Sequence, residues 1–243
     1  MTPRTKEQNE EIRLRRLAQI RKAAADVFLN KGPLLEIRDV AAQAGLGYGT
    51  VYHYYSNKGD LLHDLLWDAL DRAGEWLEVP MEALHDSDAG MAPAGGHFRL
   101  AAAADTGNSA AAGSRSGSRV TAAELGPVAA AGVRLLQLWA EDHALYLLHK
   151  LAGEGFAALP EGRSIPLLAA FRREVLTPLA AALLRSGHAA DGAAASGGNA
   201  AEPQDLLQHA EMLLAALVGC ASLSLRRGKL HEEARDIARF LKL

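Results

Sequence analysis

Apolar residues recur at three- and four-residue intervals along most of this chain, and no alternating run is bounded by hairpin turns. Ile12, Leu14, Leu17, Ile20, Ala24, Val27 and Phe28 trace one face of a long first helix. It should stop at Gly32-Pro33, since glycine caps a helix end and proline cannot continue it. The spacing then predicts a short helix over 37–44, closed by Gly45, and another over 48–55. A longer helix begins at Lys58, capped by Ser56 or Asn57, and runs to about Val79 before Pro80. Further apolar helical segments fall at about 121–160, 165–185, 204–227 and 231–242. Val, Ile and Thr are sparse while Ala and Leu dominate, so the expected fold class is all-α.

Two stretches break the periodicity. Residues 87–118 hold 21 Ala, Gly or Ser among 32 positions, with Met91, Phe98 and Leu100 as the only large apolar side chains. Such a composition predicts a flexible insertion, because it cannot bury enough apolar surface to offset its ordering entropy. Residues 186–202 read as a second linker of the same kind. No internal repeat is visible. The organisation expected is a head over 1–57, a connecting helix over 58–80, and a helical body over 121–243 interrupted by the second linker.

Charge sharpens this division. The chain is 49% hydrophobic, enough for a core, and carries a net charge of −3. Residues 1–62 hold ten Lys/Arg against seven Asp/Glu, leaving 16 against 22 in the remainder. A basic head on an acidic body places any nucleic-acid contact at the N-terminus. Cys220 stands alone, no apolar run long enough to span a membrane is apparent, and the N-terminus is charged. These features lead us to expect a cytoplasmic protein without membrane contact. No G-x-S-x-G, H-E-x-x-H, paired C-x-x-C or P-loop occurs, and GLGYG lacks a preceding strand. His143 and His149 are six apart, which is not ligand spacing on one helical face. The expectation is therefore no enzyme, no metal and no cofactor.

The run Tyr52-His53-Tyr54-Tyr55 cannot point wholly inward from one helix. Over 37–55 the pattern reads helix, tight turn, helix, with Gly45 free to take a left-handed turn and Leu46 as the plug between the helices. Val40, Ala41, Ala44, Val51 and Tyr55 supply the inner face. Tyr48, Gly49, Thr50, Tyr52, His53 and Tyr54 are left outward on a two-turn helix, which suits insertion into a DNA major groove. Lys58 adds a charge beside a helix N-terminus, a natural phosphate site.

Val40-Ala41, Ala44-Gly45-Leu46, Gly49-Thr50-Val51-Tyr52-His53-Tyr54-Tyr55 and Lys58, followed by Leu61-Leu62, resemble the DNA-binding domain of the TetR family over residues 12–70. Leu35-Glu36 departs from that pattern, where family members usually have Thr or Ser at the start of the second helix. The resemblance implies an N-terminal three-helix helix-turn-helix domain and a C-terminal helical regulatory and dimerisation domain. It implies phosphate contacts from Thr50, Tyr52, Tyr54 and Lys58, and base contacts from Arg38 and Tyr48; His53 can serve either. It further implies a homodimeric repressor on a palindromic double-stranded operator, released by a small-molecule effector. A helical ligand-binding or adaptor protein without sequence-specific DNA binding is the alternative.

Two body features complete the reading. Trp139, His143, Tyr146, Leu147, Phe156 and Phe171 combine large apolar surface with a few polar tips, as a pocket for a mostly apolar ligand would; plain core packing explains the same pattern. Leu206, Ala210, Leu213, Leu214, Leu217 and Ala221 form one stripe, and Ile237 and Leu241 lie on another. Either two chains pair through these stripes as a four-helix interface, or the stripes complete the chain's own core.

Overall fold

The first helix runs further than its apolar stripe. A computed structural model of the chain describes residues 6–74, 76, 126–186 and 203–243, and α1 spans Lys6–Lys31. Its opening turns are solvated and carry ion pairs one turn apart, Arg13 to Glu10 and Arg15 to Glu11, each at 2.8 Å. Leu14 is exposed there, and continuous burial begins only at Ile20. Apolar periodicity cannot see a solvated polar arm, which is why the start lies six residues before Ile12.

The next elements match their signals closely. A 3-10 turn, Gly32–Leu34, follows α1 with Gly32 at φ +60°. Helix α2 spans Ile37–Gln43, and α3 spans Tyr48–Tyr54. Between them Gly45 sits at φ +64° and donates its N–H to Ala42 O, while Leu46 N–H reaches Ala41 O. Helix α4 spans Lys58–Leu70, with Asn57 Oδ1 accepting from Asp60 N at 2.9 Å. It ends at Leu70, short of the expected Val79, and residues 77–80 lie outside the described residues, as do 87–118 and 187–202.

The apolar stretch 121–160 is two helices rather than one. Helix α5 spans Pro127–Glu141 and α6 spans His143–Gly153. Asp142 separates them because its carboxylate caps α6, accepting from Ala144 N at 2.9 Å and Leu145 N at 3.4 Å. Helix α7 spans Glu161–Phe171, passes through a π-turn at Arg172–Leu176 and continues as α8, Thr177–Arg185. Pro178 explains the π-turn. It has no N–H for the carbonyl of Glu174, and its ring would crowd that carbonyl in a regular helix. Thr177 Oγ1 donates to Arg172 O at 2.9 Å and secures the widened turn. Helices α9, Pro203–Arg226, and α10, Leu230–Phe240, complete the set, and no strand occurs among the described residues.

Helix α6 is the axis of the packing. It lies against α1 and α4 on one side and against α5 and α9 on the other, while α10 packs chiefly on α5. Seven of its eleven residues are buried, Ala144 to His149 and Leu151. The corner between α9 and α10 is closed by Glu233, which accepts from Ser224 Oγ and lies 2.7 Å from Arg227. Hydrogen bonding from Ser224 and the nearby Arg227 charge hold the Glu233 carboxyl below its ordinary range.

The stripe expected to pair two chains faces inward instead. Leu206, Ala210, Leu214, Leu217, Ala221 and Ile237 are buried within the single chain, and Leu213 and Leu241 are half-buried against the same core. Their periodicity was that of a core face, covered by α5, α6, α8 and each other. Helix α9 also corrects the expectation of no long apolar run. Residues 204–226 are long and apolar enough by length and composition to cross a membrane, yet the helix packs along the bundle.

Nothing lies within 4 Å of where a Cβ would sit on Gly45, so Gly45→Ala should act through backbone strain alone. We expect a loss of about 1–2 kcal/mol, the cost of a left-handed non-glycine residue. Urea unfolding should show a lower midpoint with an unchanged slope.

Candidate nucleic-acid interface and internal cavity

Helix α3 divides cleanly into two faces. Val51 and Tyr55 point into the head and are buried, while Tyr48, Gly49, Thr50, Tyr52 and His53 are exposed. Tyr54 is half-buried and packs against the core, so only part of it remains available outward. The Tyr48 and Tyr52 rings lie one turn apart with centroids 4.6 Å from each other. Hydrogen bonding to Tyr52 pushes the Tyr48 hydroxyl up, so Tyr48 stays protonated. Arg38, on α2 beside this face, has a side chain 81% exposed with its guanidinium 3.5 Å from Glu36.

Lys58 is exposed, and its Nζ donates to Pro33 O at 3.0 Å, tying the start of α4 to the 3-10 turn. Glu36 caps α2: its own N–H donates to Asp39 Oδ2 at 3.3 Å in a reciprocal capping box. Lys31 bridges to the same Asp39 at 2.7 Å and holds that carboxyl below its ordinary value. Where the family resemblance would put Thr or Ser, the helix start is satisfied by the chain's own carboxylates.

A polar network pins the inner end of α3 to the body. Tyr55 Oη donates to Asp64 Oδ2, which also accepts from Arg21 at 3.1 Å. Burial, then the Asp64 hydrogen bond, pushes the Tyr55 hydroxyl far above its ordinary value, so it remains a donor. Arg21 continues to Asp68 at 2.8 Å. Arg72 binds Asp68 and also Asp142, at 2.9 Å from Nη2 to Oδ2. Burial opposes the Arg72 charge, but its hydrogen bonds to Asp68 and Asp142 outweigh it. Since Asp142 caps α6, the chain of contacts runs from the end of α3 to the first turn of α6. Beside it His143 Nδ1 lies 2.6 Å from Asp26, and Arg163 of α7 lies 2.6 Å from Asp60 of α4.

On the far side of α6 a cavity of about 710 Å³ opens between α6, α7 and α9. Tyr146, His149, Phe171 and Leu214 form its buried end; Lys150, Arg172, Glu154 and Glu211 stand around it with Met212. Of the six expected pocket residues, Tyr146 and Phe171 line it. Trp139, Leu147 and Phe156 are fully packed in the core and absent from its wall. His143 points the other way, to Asp26 on α1, because six residues along a helix turn it from the cavity face that His149 occupies. Burial pushes the Tyr146 hydroxyl up, against the effect of Ser222 beside it.

The decisive comparison concerns the head. Residues 20–65 match the family described as bacterial regulatory proteins, tetR family. Over these residues the head is similar to that family. No curated protein matches the sequence. The fatty acid degradation regulator FadR from Bacillus halodurans is similar at 16% identity with a TM-score of 0.51, over 93% of each chain. FadR from Bacillus subtilis, solved in complex with stearoyl-CoA, gives 17% identity and a TM-score of 0.47 over 92% of this chain and 96% of that one. A gamma-butyrolactone receptor, an ArpA-like protein, gives 15% and 0.48 over 95% and 98%. The first of these shows a shared all-helical fold along the length of the chain.

The tetR-type head was readable from its motif, but its bracing was not. Asp64 and Asp68 on α4 and Arg72 just past its end stand four residues apart, a spacing visible in the sequence once helical phase is applied. His149 was also legible, as the lone imidazole in the apolar run ALYLLHKLAG. It is 4% exposed, and burial lowers its pKa from 6.5 to about 4.

Between those two values the unfolded chain binds a proton that the folded chain refuses. Stability is therefore complete above pH 6.5 and is lost as pH falls toward 4, by on the order of 3 kcal/mol. Chemical unfolding should show that His149→Phe loses less stability than the unmodified protein between pH 7 and about pH 4.5.

Proposed function

We propose that this protein is a ligand-responsive, sequence-specific DNA-binding repressor acting as a homodimer in the cytoplasm. The observation that carries the reading is the division of α3: its apolar side is locked into the head, and its exposed side presents Tyr48, Thr50, Tyr52 and His53 with nothing among the described residues to cover them. Helix α3 would lie in the major groove. Thr50, Tyr52 and Lys58 hold phosphates, with the outer part of Tyr54. Arg38 and Tyr48 reach base edges, and His53 serves either.

Pairing uses the outer face of α9 rather than the buried stripe. Met212, Ala215 and Gly219, which also border the mouth of the cavity, recur with Leu223 at three-, four- and four-residue steps, and Met212 and Leu223 are 61% and 63% exposed. Phe240 on α10, 78% exposed, extends this apolar surface. A second copy related by a two-fold axis covers it and sets two recognition helices about one DNA turn apart, ~34–36 Å, on a palindromic operator.

The effector enters the cavity between α6, α7 and α9. Because α6 also carries the Asp142 and His143 contacts to the head, a ligand that favours one position of α6 shifts the orientation of α3. Such a switch requires differential affinity for the two positions, not merely tight binding.

Titration with DNA from upstream of its own coding region and with random-sequence DNA, at one salt concentration, tests the reading; equal affinities would sink it. Lys58→Ala should weaken binding to every sequence alike and reduce the salt slope by roughly 0.9. Arg38→Ala should instead cost about 1–3 kcal/mol at a single base pair. For the pairing, Met212→Glu with Leu223→Glu should sediment as a helical monomer with weakened operator binding.

A further inference from the structure

At the buried end of the α6–α7–α9 cavity, one lining residue carries a buried polar atom without a partner among the described residues. His149 Nδ1 lies 2.8 Å from Leu145 O and 3.3 Å from Trp139 Nε1. One ring nitrogen cannot donate to a carbonyl and accept from an indole at once. The carbonyl contact is the shorter, and a bare nitrogen lone pair at that distance would repel the oxygen. Nδ1 therefore carries the proton and donates to Leu145 O, which leaves Nε2 as a lone pair. Nε2 is buried and has no hydrogen-bond partner among the described residues, in a residue that lines the cavity. Burial keeps the ring neutral at physiological pH, so Nε2 is an acceptor and not a donor.

The surroundings restrict what can approach it. Phe171 packs edge-on to the His149 ring with centroids 5.5 Å apart, and Leu168, Leu214 and Val218 line the same cavity. The charged lining residues are of both signs, Lys150 and Arg172 against Glu154 and Glu211, with Arg172 3.9 Å from Glu211. An ionised acid brought to the buried end would meet a second acceptor there. A neutral hydroxyl or N–H would fill the vacant bond of Nε2 instead.

We propose that His149 Nε2 is the polar anchor of this cavity, and that its ligand is a predominantly apolar molecule whose buried end carries a hydroxyl or N–H donor. The proposal rests on the cavity being the effector site. A site built around a buried acceptor discriminates strongly against the analogue that lacks the donor, because the acceptor is then left unpaired in an apolar wall.

The matched probes 1-naphthol and 1-methylnaphthalene test it on the full chain, by tryptophan fluorescence and melting temperature. The unmodified protein should bind 1-naphthol roughly tenfold tighter. His149→Phe should abolish that preference while leaving 1-methylnaphthalene affinity within about twofold, and His149→Gln, whose amide oxygen accepts, should restore part of it. In the unmodified protein the 15N resonance of Nε2 should show an unprotonated nitrogen that shifts with 1-naphthol and not with 1-methylnaphthalene. Equal affinities for the two probes, or a preference that survives in His149→Phe, would overturn the anchor. If neither compound binds, the anchor and the effector cavity fall together. If 1-naphthol binds with the expected preference but leaves operator affinity unchanged, the anchor stands and the effector assignment fails.

Discussion

Helix α6 is buried on nearly every side, and the rest of the molecule is arranged to satisfy that constraint. A helix without a solvent face needs neighbours all round. The head supplies α1, the connecting segment supplies α4, and the body supplies α5 and α9. Its ends are fixed as firmly as its flanks. Asp142 satisfies the first amides, and at the other end Gly155 and Phe156 both take left-handed conformations, with Phe156 N–H returning to Leu151 O at 2.7 Å. Phe156 tolerates φ +54° only because its ring is completely enclosed in the core.

Two different kinds of force meet across α6. Toward the head the contacts are charged and directional, passing through Arg72, Asp68, Arg21 and Asp64 to Tyr55. An isolated exposed ion pair contributes about 0–1 kcal/mol, but these groups are only partly exposed and share partners, which favours one geometry over its neighbours. Toward the cavity the contacts are mostly dispersive and weakly directional, apart from His149 and Tyr146. Apolar walls accept molecules of varied outline, whereas the charged side transmits position. The same helix thus has a permissive face and an exacting one.

What could be read from the sequence followed from signals that local chemistry generates. Gly45, the Val40-Ala41 and Val51 inner face and the Asn57 cap are written in residue type and spacing, and the structure places them so. Leu206, Ala210, Leu214 and Leu217 show the limit of periodicity: it reveals a stripe that will be covered but not what covers it. Helix α6 shows another, since an element apolar on every face offers no amphipathic phase. Its separation from α5 rests on the cap by Asp142, which stands between Glu141 and His143. His143 and His149 look alike in composition, yet one reaches Asp26 on α1 and the other borders the cavity.

The π-turn between α7 and α8 has a consequence for how this region can vary. At about 100° per residue, Leu167 and Leu179 would stand about 120° apart around an uninterrupted helix. The extra residue accommodated by the wide turn takes back about 100° of that, and both leucines are buried in the same core. Residues 172–177 therefore act as a phase corrector. Exchanging one side chain for another leaves the correction in place, whereas inserting or deleting a single residue there rotates Leu179 and Leu183 out of the core. Chain length, more than residue identity, is what this segment has to keep.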